Sequence, residues 1–357
     1  MSCEIIAEVG VNHNGSLELA CELVKQAAAC GADVVKFQTY QTEKLVCFDA
    51  PKAGYQLRSS SGAESQFQML KRLELTRREF HALKKCCEEA DVEFLSTPFD
   101  VESARFLKDE LKVGRFKIGS GDVTCGPLLL EVALSGKPVI LSTGMSNFQE
   151  IESALGMIAF GYLGGKGRPC QASFREAWES EAGRAALERN VTLLHCTSQY
   201  PAPLLDTNLL AMKALEARFG LRLGFSDHTE GLAAAAAAAA LGAVMIEKHF
   251  TLDKTMNGPD HKASLEPEEF KDMVRLVREV ETVLGSSVKV IVDSERPTRE
   301  VARRSLVAAT AIKRGDVFSI ENLIAKRPGT GISAAEYWDW IGTVAQKDYR
   351  PDEMIVR

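Results

Sequence analysis

The chain has 357 residues, 45% of them hydrophobic and 26% charged, with a formal net charge of −6. That balance supplies one large core and a small second one, and the acidity disfavours a nucleic-acid or anionic-membrane partner. No apolar stretch reaches transmembrane length and Met1–Gly10 lacks the basic start and apolar run of a secretion signal, so no membrane association and a cytoplasmic location are expected.

Short apolar runs recur along the chain, each followed by polar residues. Glu4–Ala7 ends in Glu8, Asp33–Val35 in Lys36 and Gln38, Val92–Leu95 in Ser96 and Thr97, and Val113–Phe116 in Lys117. Pro138–Leu141 then leads to Ser142 and Thr143, Val191–Leu194 to His195 and Cys196, Leu221–Phe225 to Ser226 and His228, and Ala243–Ile246 to His249. Between them lie segments with apolar residues at three- and four-residue spacing: Leu17–Cys30, Thr76–Ala90, Val101–Leu111, Leu128–Ser135, Phe148–Phe160, Asn208–Phe219 and Gly231–Leu241. Eight strand–helix alternations predict an α/β chain folded as a (β/α)8 barrel. No Gly-x-Gly-x-x-Gly follows the first run, which disfavours a dinucleotide fold. In such a barrel the polar residues after each run stand at the C-terminal strand ends, where active sites are built.

The rest of the chain sets the domain plan. Tyr162–Asn190 is a long polar segment, expected to be a mobile loop or an extra element, and carries no assigned chemistry. Glu266–Leu284 reads as one amphipathic helix closing a catalytic domain over 1–284, and 285–299 as an irregular linker. Residues 300–357 read as a small, mostly β module with helix signal only near Ala334–Ile341. The tract Ala233–Ala240 is expected to be a tightly packed barrel helix. Nine cysteines without a Cys-x-x-Cys pair suit a reducing compartment, as small core residues or exposed thiols.

His228 and His249 end consecutive runs, so a βαβ unit brings both to one edge, where two neutral imidazoles can hold Mn²⁺, Fe²⁺ or Zn²⁺ and leave positions open. Lys36 and Lys117, the hydroxyls of Ser142, Thr143 and Ser226, and the bare backbone of Gly119-Ser120-Gly121 suit a phosphate with an adjoining carboxylate. Glu8, Asp122 and Asp260 add carboxylates that can act as bases or bind hydroxyls. His261 reads equally as a substrate contact or a plain loop histidine. A Cys196/His195 dyad is disfavoured, because strand neighbours point to opposite faces.

Nine ordered motifs then carry a resemblance. They include Ala-Glu-Val-Gly-Val-Asn-His-Asn-Gly from Ala7, Val-Lys-Phe-Gln-Thr from Val35, Phe-Lys-Ile-Gly-Ser-Gly-Asp from Phe116, Gly-Phe-Ser-Asp-His-Thr from Gly224 and Ile-Glu-Lys-His-Phe-Thr from Ile246. The chain resembles the sialic acid synthase family from about residue 3 to 357, ending in an antifreeze-like (SAF) module with Lys326-Arg327-Pro328-Gly329-Thr330-Gly331-Ile332. The resemblance implies a metal-dependent transferase that condenses phosphoenolpyruvate with an N-acylated mannose-type sugar to a nine-carbon 2-keto sugar acid, releasing phosphate. It implies His228 and His249 on a divalent ion, Mn²⁺ foremost with Mg²⁺ or Co²⁺ as others. Lys36, Thr97, Lys117, Ser120, Ser142 and Ser226 would then hold phosphoenolpyruvate, and Glu8, Gln38, Tyr200 and Asp260 would surround the sugar. Asp122 falls where many bacterial members carry Glu, and would position water. Arg327 would reach a partner's barrel in a domain-swapped homodimer; from the residues alone, Lys326 and Arg327 brace a turn. Pro51–Leu57 and Glu64–Leu70 resemble N-acetylneuraminate and legionaminate synthases more than pseudaminate synthases. A synthase acting on a phosphorylated sugar and a non-catalytic sugar-binding protein are the rival readings.

Overall fold

The structure, a computed structural model, describes residues 2–52 and 64–357. Of the Pro51–Leu57 motif, Ala53, Gly54, Tyr55, Gln56 and Leu57 lie outside the described residues. The chain forms two compact units, Met1–Gly285 and Ser286–Arg357.

The first unit holds eight parallel strands: β1 Glu4–Gly10, β2 Val34–Thr39, β3 Glu93–Pro98, β4 Phe116–Ile118, β5 Val139–Ser142, β6 Val191–Cys196, β7 Arg222–Asp227 and β8 Met245–His249. Their order is β3-β2-β1-β8-β7-β6-β5-β4. Because β1 pairs with β8, the sheet curls into a nearly closed (β/α)8 barrel whose seam falls between β3 and β4. Period-two alternation then sorts the side chains into layers. Ile6, Val34, Leu95, Ile140, Leu194 and Met245 form an apolar plug inside the barrel. Two residues on, towards the C-terminal ends, the same strands present Glu8, Lys36, Thr97, Ser142, Cys196 and Glu247.

The outer helices follow from caps and apolar stripes. Ser16 accepts from Leu19 N to start Leu17–Ala29, and Thr76 and Glu79 form a capping box for Arg77–Glu89. The stripe Phe270, Met273 and Val277 buries one face of helix Pro267–Leu284, worth about 2 kcal/mol per large side chain. Helix Ala233–Ala240 buries Ala234, Ala235, Ala238 and Ala239, as close packing on the sheet requires.

Three expectations are corrected or narrowed. After helix Phe148–Tyr162 the polar segment holds two further helices, Gln171–Glu179 and Glu181–Asn190, so it is an extra helical element. It packs because Phe174 meets Phe160 at 5.4 Å between ring centroids, while Gly156 lets the Phe174 backbone approach where a Cβ would stand 2.8 Å from its carbonyl oxygen. Cys21 and Cys86, on neighbouring helices with Cα atoms 5.9 Å apart, form a disulfide, so the free-thiol expectation fails for this pair. In the second unit the linker is partly ordered, with a 3₁₀ turn at Asp293–Glu295 and a helix at Arg296–Ala302 whose Pro297 sits in the first turn, where no amide donor is needed.

The second unit pairs β9 Ser305–Ala308 antiparallel with β10 Leu323–Lys326. A small core of Leu306, Ile312, Phe318, Leu323, Tyr349 and Ile355 holds it together. Helix signal near Ala334–Ile341 is realised as a 3₁₀ turn, Ala334–Glu336, running into Tyr337–Trp340.

Candidate active site at the barrel mouth

The C-terminal strand ends enclose a cavity of about 450 Å³. Glu8, Lys36, Gln38, Thr97, Lys117, Ser120, Ser142, Tyr200, Ser226, His228, His249 and Asp260 all line it. Residues up to 252 positions apart in sequence thus converge because alternate residues of a closed barrel point inward.

At its floor lie two lysines and two carboxylates, all nearly inaccessible to solvent. Lys36 Nζ is 2.6 Å from Glu8 Oε2 and 3.7 Å from Glu247 Oε2, and Lys117 Nζ is 3.4 Å from Glu247 Oε1. Gln38 donates to Glu8 Oε1 at 3.0 Å, Ser226 to Glu247 Oε1 at 2.9 Å, and Lys36 to Thr97 Oγ1 at 3.3 Å. Burial would depress Lys36, yet Glu247 and Glu8 together raise it; at Lys117 burial wins over Glu247 and the ammonium is lowered. Burial likewise would raise Glu247, but Lys117, Lys36 and the Ser226 bond hold it ionised.

Around Lys117 the wall is built to receive hydrogen-bond acceptors. Ser142 Oγ and Ser198 Oγ are buried without partners. Ser120 Oγ accepts from Gly144 N at 3.1 Å, and Cys196 Sγ lies 3.0 Å from Ser120 Oγ. A Cβ on Gly144 would meet Ser198, Cys196 and Ser120 at 2.3, 2.8 and 2.9 Å, so only glycine fits there. His195, as expected from alternation, points the other way and bonds Thr207 O at 2.7 Å.

The two histidines stand at the rim with ring centroids 5.5 Å apart. Nδ1 of His228 is 2.7 Å from Thr197 O, which makes that nitrogen the donor and leaves Nε2 as a lone pair. Nδ1 of His249 is buried without a partner. Burial lowers His228 to about 4, and burial with the His228 charge lowers His249 well below its ordinary value, so both rings are neutral near pH 7. Neutral imidazoles with an orphaned ring nitrogen fit a divalent ion. No group of three or more His, Cys, Asp or Glu side chains able to hold a metal occurs among the described residues, so the pair would leave most coordination positions to ligands.

Tyr200 packs its ring 4.2 Å from that of His228. Asp260 is held by a relay from the first strand's loop: Asn12 Nδ2 donates to Ser264 Oγ at 2.8 Å, and Ser264 Oγ donates to Asp260 O at 2.7 Å. Burial, then the Glu8 charge, raises the Asp260 carboxyl to about 7. His261 is the plain loop histidine, both ring nitrogens being engaged by Thr251 and Asn14. Asp122 sits in the 3₁₀ turn Ser120–Asp122 behind the cavity wall, where burial raises it to about 6 against the pull of Lys117. In the second unit Arg327 is exposed just after β10, and Lys326 pairs with Asp352.

Sequence reasoning missed Glu247, which lies two residues before His249 and so on the same inward face, and Ser198. It also missed an apolar flank, Val11, Tyr40, Met69 and Leu70, that lines the cavity beside the polar floor.

Fold and site define a (β/α)8-barrel protein with a buried lysine–carboxylate floor beside a pair of neutral histidines. Residues 23–289 match the NeuB family and residues 303–356 the SAF domain, and the chain belongs to the NeuB family. It is 45% identical to N,N'-diacetyllegionaminic acid synthase of Campylobacter jejuni over 98% of both chains. It is 43% identical to the protein of the same name from Legionella pneumophila, over 96% of this chain and 90% of that one. Among solved structures, N-acetylneuraminic acid (sialic acid) synthetase of Leptospira borgpetersenii superposes with a TM-score of 0.66 at 32% identity, covering 84% of this chain and 90% of that one.

Proposed function

We propose that this chain is a phosphoenolpyruvate-dependent nonulosonate synthase whose acceptor is 2,4-diacetamido-2,4,6-trideoxymannose. The observation that carries the reaction class is the single cavity joining the lysine–carboxylate floor, the unpartnered serine hydroxyls and the neutral histidine pair. The similarity to two legionaminic acid synthases along nearly the whole chain supports the sugar.

Lys36 and Lys117 bind the anionic groups of phosphoenolpyruvate, and Ser120, Ser142, Ser226 and Thr97 surround it with hydroxyls, that of Ser142 having no partner within the fold. A divalent ion, Mn²⁺ foremost, held by His228 and His249, would supply Lewis-acid polarisation of the open-chain sugar aldehyde. The C2–C3 π pair of phosphoenolpyruvate forms the new bond from C3 to that carbonyl carbon, and the carbonyl oxygen takes a proton. Asp260, raised to about 7, is a carboxyl at the cavity wall that keeps a substantial protonated fraction near neutral pH and is suited to give it. Glu247 and Glu8 face the positive charge left at C2. Water adds there, oriented through Asp122, and its released proton restores the Asp260 carboxyl; the tetrahedral adduct then forms the C2 carbonyl and breaks its C2–O bond to phosphate, which leaves with the C2 hydroxyl proton. Gln38, Tyr200 and Glu8 surround the sugar. Arg327 serves the barrel of a second copy in a domain-swapped homodimer, and the reaction runs in the cytoplasm; among the described residues no helix is long and apolar enough to cross a membrane.

The test is phosphate release from phosphoenolpyruvate with Mn²⁺, comparing the diacetamido sugar with N-acetylmannosamine, with a chelator control. Preference for the diacetamido sugar, lost on chelation, is expected. Preference for N-acetylmannosamine would replace the sugar, and metal-independent or absent release would overturn the reaction class.

A further inference from the structure

Behind the histidine pair, on the outer face of the same two strands, lies a charged pair that the chemistry above does not use. Alternation sends Ser226 and His228, Glu247 and His249 into the barrel, and Asp227 and Lys248 outward. Asp227 and Lys248 are direct partners in the β7–β8 ladder, and both side chains are fully inaccessible. Lys248 Nζ lies 2.8 Å from Asp227 Oδ2 and donates to Thr229 O at 2.5 Å. Asp227 Oδ1 accepts from both Thr229 N and Thr229 Oγ1 at 2.8 Å. His228 therefore sits between two residues that are both fastened to the lysine preceding His249. Its own carbonyl accepts from Ala202 N at 2.7 Å, and its ring from the other side meets Thr197 O.

A buried ion pair is a poor source of stability, since apolar residues of the same volume often do as well or better. What apolar packing lacks is direction, and here alanine helix Ala233–Ala240 already supplies the packing against these strands. Each of the charged groups is saturated by a partner on the neighbouring strand or the following loop, so a slip of β7 against β8 would strand both charges in the core. We infer that the Asp227–Lys248 pair is a positioning device: it locks the β7–β8 register and the Asp227–Thr229 turn so that the His228 and His249 rings keep the spacing needed to hold one metal ion. The inference rests on the metal reading of those two histidines.

The experiment titrates Mn²⁺ alone into the metal-free full chain by calorimetry, alongside thermal melting and phosphoenolpyruvate binding without metal. The doubly substituted Asp227→Asn, Lys248→Met protein keeps side-chain volume and strands no charge. Expected are an unchanged melting temperature, phosphoenolpyruvate affinity within about twofold, and an Mn²⁺ Kd weakened about 10- to 100-fold, the size of other effects on groups that orient metal ligands. An unchanged Mn²⁺ Kd would overturn the proposal, as would parallel loss of all three quantities, which marks general damage. Thr229→Val, which removes one tie of the turn, keeps the side-chain shape and strands no charge because Thr229 N still donates to Asp227 Oδ1, should weaken Mn²⁺ in the same direction and decides the question if the double variant does not fold. A His249→Ala protein that bound Mn²⁺ like the wild type would instead sink the metal reading itself.

Discussion

The barrel has a charge cluster at each end, and the two are built on opposite rules. At the N-terminal floor Arg115 reaches Glu4 through two bonds of 2.8 and 2.7 Å and Glu93 through two of 2.9 and 2.8 Å. Four of the five guanidinium N–H groups meet four carboxylate oxygens, so every oxygen of both carboxylates is engaged. At the mouth Lys36, Lys117, Glu8 and Glu247 are far more deeply buried, yet the hydroxyls of Ser142 and Ser198 and one nitrogen of His249 have no partner. Unmet polar groups in a buried place cost stability, on the order of 1–3 kcal/mol each. A chain that completes its hydrogen bonds at one end and leaves them unmet at the other has a second set open to a ligand.

That contrast breaks first at the histidine pair. His249→Ala should abolish metal-dependent phosphate release while circular dichroism and melting change little, because the ring makes no hydrogen bond through Nδ1 that the fold would miss. Full turnover in that variant would sink the assigned metal site. Lys117→Met comes next: kcat/KM for phosphoenolpyruvate should fall on the order of 10²-fold, a loss of about 3 kcal/mol for one charged partner removed from a buried anion site. A change of less than about threefold would mean the anion binds elsewhere. At the opposite end Arg115→Ala should cost about 2 kcal/mol of stability in denaturant titrations, a buried-pair loss discounted because the site is partly open to solvent. Its turnover per folded molecule should stay at the wild-type value. Equal damage to activity and stability would show that the two ends are not separable.

Most of the mouth was legible from the sequence because its signal is local and repeated: a polar residue after an apolar run, eight times over, on a fold that gathers strand ends. Glu247 escaped for a physical reason. It sits inside the run Met-Ile-Glu-Lys-His, where a charge reads as an interruption, until the strand is seen to extend to His249 and its alternation places Glu247 inward and Lys248 outward. The Cys21–Cys86 bridge and the Phe174 contact depend on which helices become neighbours, and no spacing along the chain encodes that. The linker helix Arg296–Ala302 hid behind Pro297, which ends a helix in the middle but opens one at its first turn.

A pH profile sharpens the comparison within the mouth. Burial raises Asp122 to about 6, so its carboxylate form grows as pH rises through 6 and disappears below it. If that charge orients water, log kcat should fall with unit slope below about pH 6, and Asp122→Asn should remove that limb and leave a lower, flat profile. A limb that survives the substitution would assign it to another carboxylate; Asp260, needed in its protonated form, would instead limit activity on the alkaline side as pH rises through about 7.

The smallest expected effect is the most diagnostic of reserved polarity. Ser198 Oγ is buried, partnerless and packed against Gly144, beside Ser120 and Cys196. If it is an ordinary buried hydroxyl left unsatisfied by accident, Ser198→Ala should stabilise the protein and leave the KM for phosphoenolpyruvate unchanged. If it is held for the ligand, the same substitution should still raise the melting temperature slightly, because an uncompensated hydroxyl is gone, yet raise KM about 3- to 10-fold, the worth of one neutral hydrogen bond. Stability and affinity must then move in opposite directions. Arg115 at the opposite end cannot produce that sign, since four of its donors are already spent on Glu4 and Glu93 within the fold and removal costs stability alone.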